Sequence, residues 1–213
     1  MVKKASIRKF KKHFKRTFTK RNAVFVGIFI LAIIVLWAIM HPRNAIAPEA
    51  YTPLLEVIAK GESQGNYNAY FGNVANKEID FTRMTVAEVL AWQKRFVTEG
   101  HASSAVGRYQ IIRPTLLGLV EERNLTTNEK FDKQLQDSLA ITLMERRGAI
   151  NFIRNEVSAE DFAHQLSKEW AALPKIIGDM PENSFYAGDG LNRSLIDSKT
   201  SLSAVMKFKE LAK

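Results

Sequence analysis

Cysteine is absent from this chain, and histidine is rare. None of the 213 residues is Cys, and the four His residues are scattered along the sequence. The missing Cys excludes disulfides and thiolate metal sites, and no group of His has the spacing of a transition-metal site. The sequence also lacks a Gly-x-Ser-x-Gly nucleophile elbow, a phosphate-binding loop and a dinucleotide fingerprint. We therefore expect no metal and no cofactor, and any chemistry must use carboxylate, hydroxyl, amide and aromatic side chains.

Acidic residues are missing from the first 22 positions. Ten of the 31 Lys and Arg residues fall in this segment, which leaves 21 basic against 22 acidic side chains in the rest of the chain. The formal net charge of +9 therefore belongs to the N-terminal segment, and the remainder is nearly neutral. A neutral domain offers no surface that would track phosphates, so we predict no nucleic-acid partner.

Residues 23–40 contain no charged side chain. At a rise of about 1.5 Å per residue this run spans about 27 Å, close to the thickness of a bilayer core. It is longer than the roughly 7–15 residues of a signal-peptide apolar core, so we predict an uncleaved transmembrane helix, with a cleaved signal as the alternative. The basic flank keeps the N-terminus in the cytoplasm and places the C-terminal part outside the cytoplasmic membrane. A virion membrane is a second bilayer that this anchor would suit.

The chain thus divides into a basic cytoplasmic tail (1–22), a transmembrane helix (23–40), a linker (41–51) and a C-terminal domain (52–213). The domain is long enough for one hydrophobic core. Apolar residues at helical spacing dominate it, whereas residues 66–84 are rich in Asn, Gly and aromatic residues without a helical period. We predict an α+β fold that is mainly helical, with a small β or loop element between its first helices.

Glu62 is the leading candidate for a catalytic residue. A short apolar helix, with Thr52 as its N-cap and Pro53 as its first residue, runs up to it. Gly61 and Gly65 flank the acid and favour an end to the helix there. An acid at the end of an apolar helix is placed where burial raises its pKa and permits acid catalysis. Taken alone, an exposed carboxylate at a helix end is the simpler interpretation.

A polar and aromatic group lies 45 residues further along the chain, at Arg108, Tyr109 and Gln110. Neutral sugar chains are bound by such side chains, because hydroxyl groups need fixed hydrogen-bond partners and sugar faces stack on aromatic rings. Arg108 suits a bridge between structural elements equally well.

Several stretches resemble the lambda-phage endolysin family, which comprises peptidoglycan lytic transglycosylases of the lysozyme superfamily. Residues 105–111 resemble its Gly-Arg-Tyr-Gln stretch, residues 143–148 its helix ending in Glu-Arg-Gly, and residues 170–174 its Trp-Ala-x-Leu-Pro. Residues 62–65 also resemble the Glu-Ser-x-Gly of lytic transglycosylases in general, and residues 186–191 a loop of related phage muramidases. The stretches occur in the same order and at compatible spacing. The resemblance covers the C-terminal domain and leaves out the predicted anchor.

The resemblance implies a lysozyme-like domain that acts on the glycan strands of peptidoglycan, with Glu62 as the catalytic acid. Glu62 would protonate the oxygen between N-acetylmuramic acid and N-acetylglucosamine, and the muramoyl C6 hydroxyl would attack the anomeric carbon to leave a 1,6-anhydro sugar. The side chains then expected to bind substrate are Ser63, Tyr67, Arg108, Tyr109, Gln110 and Tyr186.

Two alternatives remain open. Asp80 lies between the Glu62 helix and the next one, where a lysozyme keeps its second carboxylate. If Asp80 faces Glu62, hydrolysis by a muramidase is the better interpretation, and otherwise Asp80 caps a turn. A non-catalytic wall-binding membrane protein would instead keep Tyr109 and Gln110 as a sugar contact and tolerate the loss of Glu62.

Overall fold

Residues 46–213 are described by the computed structural model. A 3₁₀ turn at Pro48–Tyr51 leads into seven α-helices, and a second 3₁₀ turn at Phe81–Arg83 follows the first of them. The helices are α1 Thr52–Ser63, α2 Val86–Thr98, α3 Arg113–Glu122, α4 Lys133–Arg146, α5 Ala149–Ile153, α6 Ala159–Ser167 and α7 Ser198–Leu211. Strand pairing within residues 46–213 is limited to isolated bridges. The prediction of a mainly helical domain is confirmed, and the helical content fits a lysozyme-like domain.

The predicted tail and transmembrane helix lie outside the described residues. Between residues 46 and 213 none of the helices combines the length and the apolar character needed to cross a bilayer.

Helix α1 begins at its predicted cap rather than after it. Thr52 is the first helical residue, and the N-cap position belongs to Tyr51, which provides no side-chain cap. The Thr52 hydroxyl instead donates to the carbonyl of Glu49 at 2.7 Å. Pro53 lies in the first turn, where its missing N–H costs no helical hydrogen bond.

The C-terminal end of α1 falls where the glycines predicted it. Gln64 adopts a left-handed conformation (φ 55°), and the N–H of Gly65 (φ 84°) donates to Ala59 O at 3.0 Å. Gly61, however, lies inside the helix rather than in a turn. A Cβ at Gly61 would come within 2.7 Å of the Cβ of Ala172, so this glycine allows the segment around Ala172 to lie directly against α1.

Side-chain caps begin two of the helices, and residues 108–112 form no strand. Thr85 and Glu88 form a reciprocal capping box at the start of α2, and Ser158 caps α6 by accepting from the N–H of Asp161. Residues 107–110 form a tight turn, closed by a bridge between Val106 and Ile111. The turn buries Arg108, Tyr109 and Ile111.

Aromatic rings fill two parts of the core. Near the ends of α1 and α7, the rings of Tyr51 and Phe208 lie 4.8 Å apart, with Phe152 and Phe162 beside them. The loop after α1 packs on α2 through Tyr70, which lies 5.4 Å from Trp92 between ring centroids. The first cluster fixes α1 against the C-terminal helices, and the second fixes the loop that follows Glu62.

Candidate active site

Glu62 lies in the last turn of α1, with its carboxylate against the segment that follows α6. Its Oε1 accepts a hydrogen bond from the N–H of Ala172 at 2.9 Å. Burial of the carboxyl group raises the pKa of Glu62 from its ordinary 4.5 to about 7, and the Ala172 N–H partly opposes this because it stabilises the carboxylate. An acid with this pKa exists in both protonation states near neutral pH, as a group that first donates and then accepts a proton requires.

The backbone and the Cβ of Ala172 contact two other segments of the protein. The N–H groups of Leu195 and Ile196 donate to Ala172 O at 2.9 and 3.2 Å, and Gly61 leaves room for its Cβ. Sequence reasoning assigned no role to Ala172, although it belongs to the Trp-Ala-Ala-Leu-Pro stretch at 170–174. The resemblance of residues 170–174 to the family was the only signal for Ala172. It did not identify the role of this residue, because the group that contacts Glu62 is a backbone N–H and not a side chain.

Replacing Gly61 by Ala tests this close approach. Ala is favoured over Gly in a helix by about 1 kcal/mol, but an unaccommodated methyl group in a packed region costs about 1–3 kcal/mol. We expect Gly61→Ala to lower the melting temperature or leave it unchanged. Gly118 in α3 is the matched control, because a Cβ there has no atom within 4 Å. Gly118→Ala should raise the melting temperature, and an equal rise for Gly61→Ala would contradict the packing described here.

Ser63 is buried, and its hydroxyl is bound to the protein backbone. The Oγ donates to Arg108 O at 2.7 Å, with Ala59 O at 3.3 Å as a second acceptor within reach. The Ser63 side chain is therefore occupied by contacts within the protein, and its predicted contact with substrate stays a prediction. Its hydroxyl instead ties the end of α1 to the 107–110 turn.

Arg108 and Tyr109 are also buried, with 8% and 1% of their surface exposed. The Arg108 guanidinium contacts Glu56 Oε1 through Nη2 at 2.6 Å and donates through Nη1 to the hydroxyls of Tyr67 and Tyr109 at 3.0 and 3.1 Å. Direct binding of substrate by Tyr109 does not fit this geometry, because no part of its ring or hydroxyl is available. For Arg108 the contacts match the alternative role, a bridge between structural elements.

Asp137 in α4 completes this group and was missed by sequence reasoning. It accepts the hydroxyl of Tyr109 at 2.6 Å and lies within 3.0 Å of the hydroxyl of Tyr67 through both carboxylate oxygens. Burial and the neighbouring Asp137 raise the pKa of both phenols, so they remain neutral donors. No pattern in the sequence marks Asp137, since an isolated Asp on a helix is ordinarily a solvated residue.

The remaining expected substrate contacts lie nearer the surface. Gln110 has a left-handed backbone (φ 46°), and its Nε2 donates to Gly107 O at 2.9 Å, which stabilises the turn. Tyr67 is half-buried, and Tyr186 is 41% exposed with its hydroxyl donating to Lys168 O at 2.7 Å. Tyr67, Gln110 and Tyr186 keep exposed surface that a ligand can reach.

Asp80 is engaged in a local turn. Its carboxylate accepts the Thr82 hydroxyl at 2.5 Å and pairs with Arg83 Nε at 3.2 Å, at the start of the Phe81–Arg83 turn. The hydrogen bond from Thr82, followed by weaker effects that include Arg83, lowers the pKa of Asp80. These contacts match the turn-capping interpretation of the sequence.

A groove of about 970 Å³ runs between α1 and α7. Glu56 and Lys60 line it from α1, Gln64 from the turn after that helix, and Lys199 and Lys207 from α7. Residues four apart on a helix share one face, whereas Glu62 is two positions from Lys60 and projects to the opposite side. The groove is therefore separate from the Glu62 carboxylate.

One protein family matches most of the domain described above. A family model described as Endolysin matches residues 53–187, which is well over half of the chain and includes Glu62, the 107–110 turn, Ala172 and Tyr186. Neither the curated proteins nor the solved structures contain a significant match. The chain belongs to the endolysin family, whose members are phage enzymes that degrade the bacterial cell wall.

Proposed function

We propose that this endolysin is a peptidoglycan lytic transglycosylase. It cleaves the β-1,4 bond between N-acetylmuramic acid and N-acetylglucosamine and leaves a 1,6-anhydromuramic acid end. The observation that carries the proposal is the Glu62 carboxyl group, which burial adjusts to a pKa of about 7 and which the Ala172 N–H orients.

The reaction needs one carboxyl group that acts twice. Protonated Glu62 gives its proton to the glycosidic oxygen as the bond from that oxygen to the muramoyl anomeric carbon breaks. The muramoyl C6 hydroxyl forms the new bond to this carbon, and the Glu62 carboxylate accepts the hydroxyl proton. The nucleophile belongs to the sugar itself, so the step has the proximity advantage of an intramolecular reaction. Glu62 ends protonated and ready for another cycle.

The contacts of Asp80 favour this route over hydrolysis. A hydrolase of the lysozyme type needs a second carboxylate that faces the bond from the other side. Asp80 binds Thr82 and Arg83 instead, and no hydrogen bond among residues 46–213 joins it to Glu62. We therefore assign Asp80 to the structure of the turn.

Mass spectrometry of the products tests the route. Purified sacculi are digested with the full-length chain in mild detergent, and the fragments are separated and weighed. Products that end in 1,6-anhydromuramic acid are expected. Products heavier by one water, with reducing ends, would establish a muramidase and return Asp80 to the active site. If the folded chain releases no fragment, a non-catalytic wall-binding protein becomes the better description.

The proposal includes an anchor at residues 23–40 in a lipid bilayer, with the enzyme domain outside the cytoplasmic membrane. Its support is the uncharged run of residues and the basic flank that precedes it. A protease added to intact spheroplasts is expected to digest residues 52–213. Protection of this domain, with digestion only after lysis, would overturn the orientation.

A further inference from the structure

A polar network that is partly buried joins the end of α1 to α4. We propose that Asp137 is a positioning residue, which holds Arg108 and through it the turn of α1 that carries Glu62. The inference rests on the proposed function, since it concerns the placement of the same acid. Asp137 makes no hydrogen bond to Glu62 among those of the described residues, so its effect must pass through Arg108 and α1.

Arg108 contacts α1 at two points. Its carbonyl oxygen accepts the hydroxyl of Ser63, the residue that follows Glu62, at 2.7 Å. Its Nη2 contacts Glu56 Oε1 at 2.6 Å. Ser63 and Glu56 are seven residues apart, about two helical turns. A single loop residue therefore contacts both ends of the last two turns of α1, and a displacement of Arg108 moves the backbone beside Glu62.

Helix α4 in turn holds Arg108 by its backbone and its side chain. The buried Gln136 accepts the Arg108 N–H at 2.9 Å and donates through Nε2 to Tyr67 O at 3.2 Å. The next residue, Asp137, accepts the hydroxyls of Tyr67 and Tyr109, and Arg108 Nη1 lies 3.8 Å from its Oδ1. Two adjacent residues of α4 thus hold Arg108, Gln136 through its backbone and Asp137 through its side chain.

The network requires a carboxylate at position 137. Each phenol has one proton, which it gives to Asp137, and its oxygen is then free to accept an N–H from Arg108. An Asn side chain offers one acceptor and turns N–H groups toward phenols that must donate. It also removes the negative charge that lies 3.8 Å from Nη1 of a guanidinium whose Nε is buried without a partner. With Asn at this position, Arg108 Nη1 loses contacts that fix its place, whereas Nη2 keeps its contact with Glu56.

The steady-state kinetics of an Asp137→Asn chain separate positioning from mere stability. We expect kcat to fall by about tenfold with KM within about twofold, because small misplacements of catalytic groups cost rate rather than binding. We also expect the pH above which kcat declines to move downward, because a loosened Glu62 carboxyl group becomes more hydrated and more acidic. A change in stability alone would not move this pH.

Glu145→Gln is the matched control. Glu145 is also on α4 and also accepts a tyrosine hydroxyl, that of Tyr51 at 3.1 Å, but this contact lies at the opposite end of α1. Its kcat and its pH profile should stay within about twofold of the wild type. Glu56→Gln is the second test variant, since Glu56 is 62% exposed in its side chain and its replacement leaves the core intact. A fall in kcat of a few-fold is expected there.

Hydrogen exchange of the full-length chain tests the brace without reference to activity. Faster exchange in the peptide that covers residues 61–67 is expected for Asp137→Asn and not for Glu145→Gln. If exchange, kcat and the pH profile of Asp137→Asn all match the control, the positioning role is overturned. If the wild-type chain cleaves no glycan, the proposed function fails, and the exchange result still decides whether Asp137 holds the end of α1.

Discussion

Replacing Glu62 by Gln is expected to lower the rate of glycan cleavage by about 10²–10⁴-fold, the usual contribution of a positioned general acid. Gln has the same size and keeps an oxygen that can accept the N–H of Ala172, so the fold and the bond at 2.9 Å should persist. What disappears is the proton that the glycosidic oxygen needs. The rate is measured by release of soluble fragments from purified sacculi, with the melting temperature as a check on folding.

Asp80→Asn is the control for this experiment, because it makes the same chemical change in a carboxylate that binds Thr82 and Arg83. Under the transglycosylase mechanism its rate should stay within a few-fold of the wild type. Equal losses for both variants would favour a two-carboxylate hydrolase. Full activity of Glu62→Gln would show that Glu62 is not the catalytic acid.

The sequence predicted those parts of the site that depend on neighbours along the chain. The end of α1 follows from Gly65, which lies directly after the left-handed Gln64. Glu62 could be placed at a helix end for the same reason. Short-range rules of this kind need no knowledge of the fold.

The parts that could not be predicted depend on contacts between distant residues. Glu62 meets Ala172 across 110 positions, and Tyr109 meets Asp137 across 28. Side-chain type alone suggested that Tyr109 would face a sugar, because a tyrosine with a polar neighbour has the same composition in a cleft and in a buried network. Only the packing of α4 against the 107–110 turn distinguishes the two.

The pattern of burial also changes what the Arg-Tyr-Gln stretch contributes. Two of its three side chains are taken up by contacts within the protein, and their effect on a substrate must be indirect. Of the side chains predicted to bind substrate, Tyr67, Gln110 and Tyr186 keep exposed surface, and their contact with a sugar stays a prediction.

The stability of the protein should depend on pH through the same carboxyl group. The pKa of Glu62 is about 7 in the folded state, against an ordinary value of 4.5. Between these values the folded state binds more protons than the unfolded state, so the free energy of unfolding falls as the pH rises. A difference of this size corresponds to about 3 kcal/mol of stability, which is fully present below pH 4.5 and fully lost above pH 7.

Glu62→Gln removes this dependence, and the comparison of the two chains isolates it. Between pH 4 and pH 8, the free energy of unfolding of Glu62→Gln should rise by about 3 kcal/mol relative to that of the wild type. This corresponds to a relative shift of about 6–12 °C in melting temperature. Glu88→Gln is a control of opposite sign, because the capping box lowers the pKa of Glu88 and its stabilisation is lost as the pH falls. Thermal unfolding followed by tryptophan fluorescence measures both. A pH-independent difference between wild type and Glu62→Gln would mean that the carboxyl group is hydrated in the folded protein, and the physical basis for its role as an acid at neutral pH would be gone.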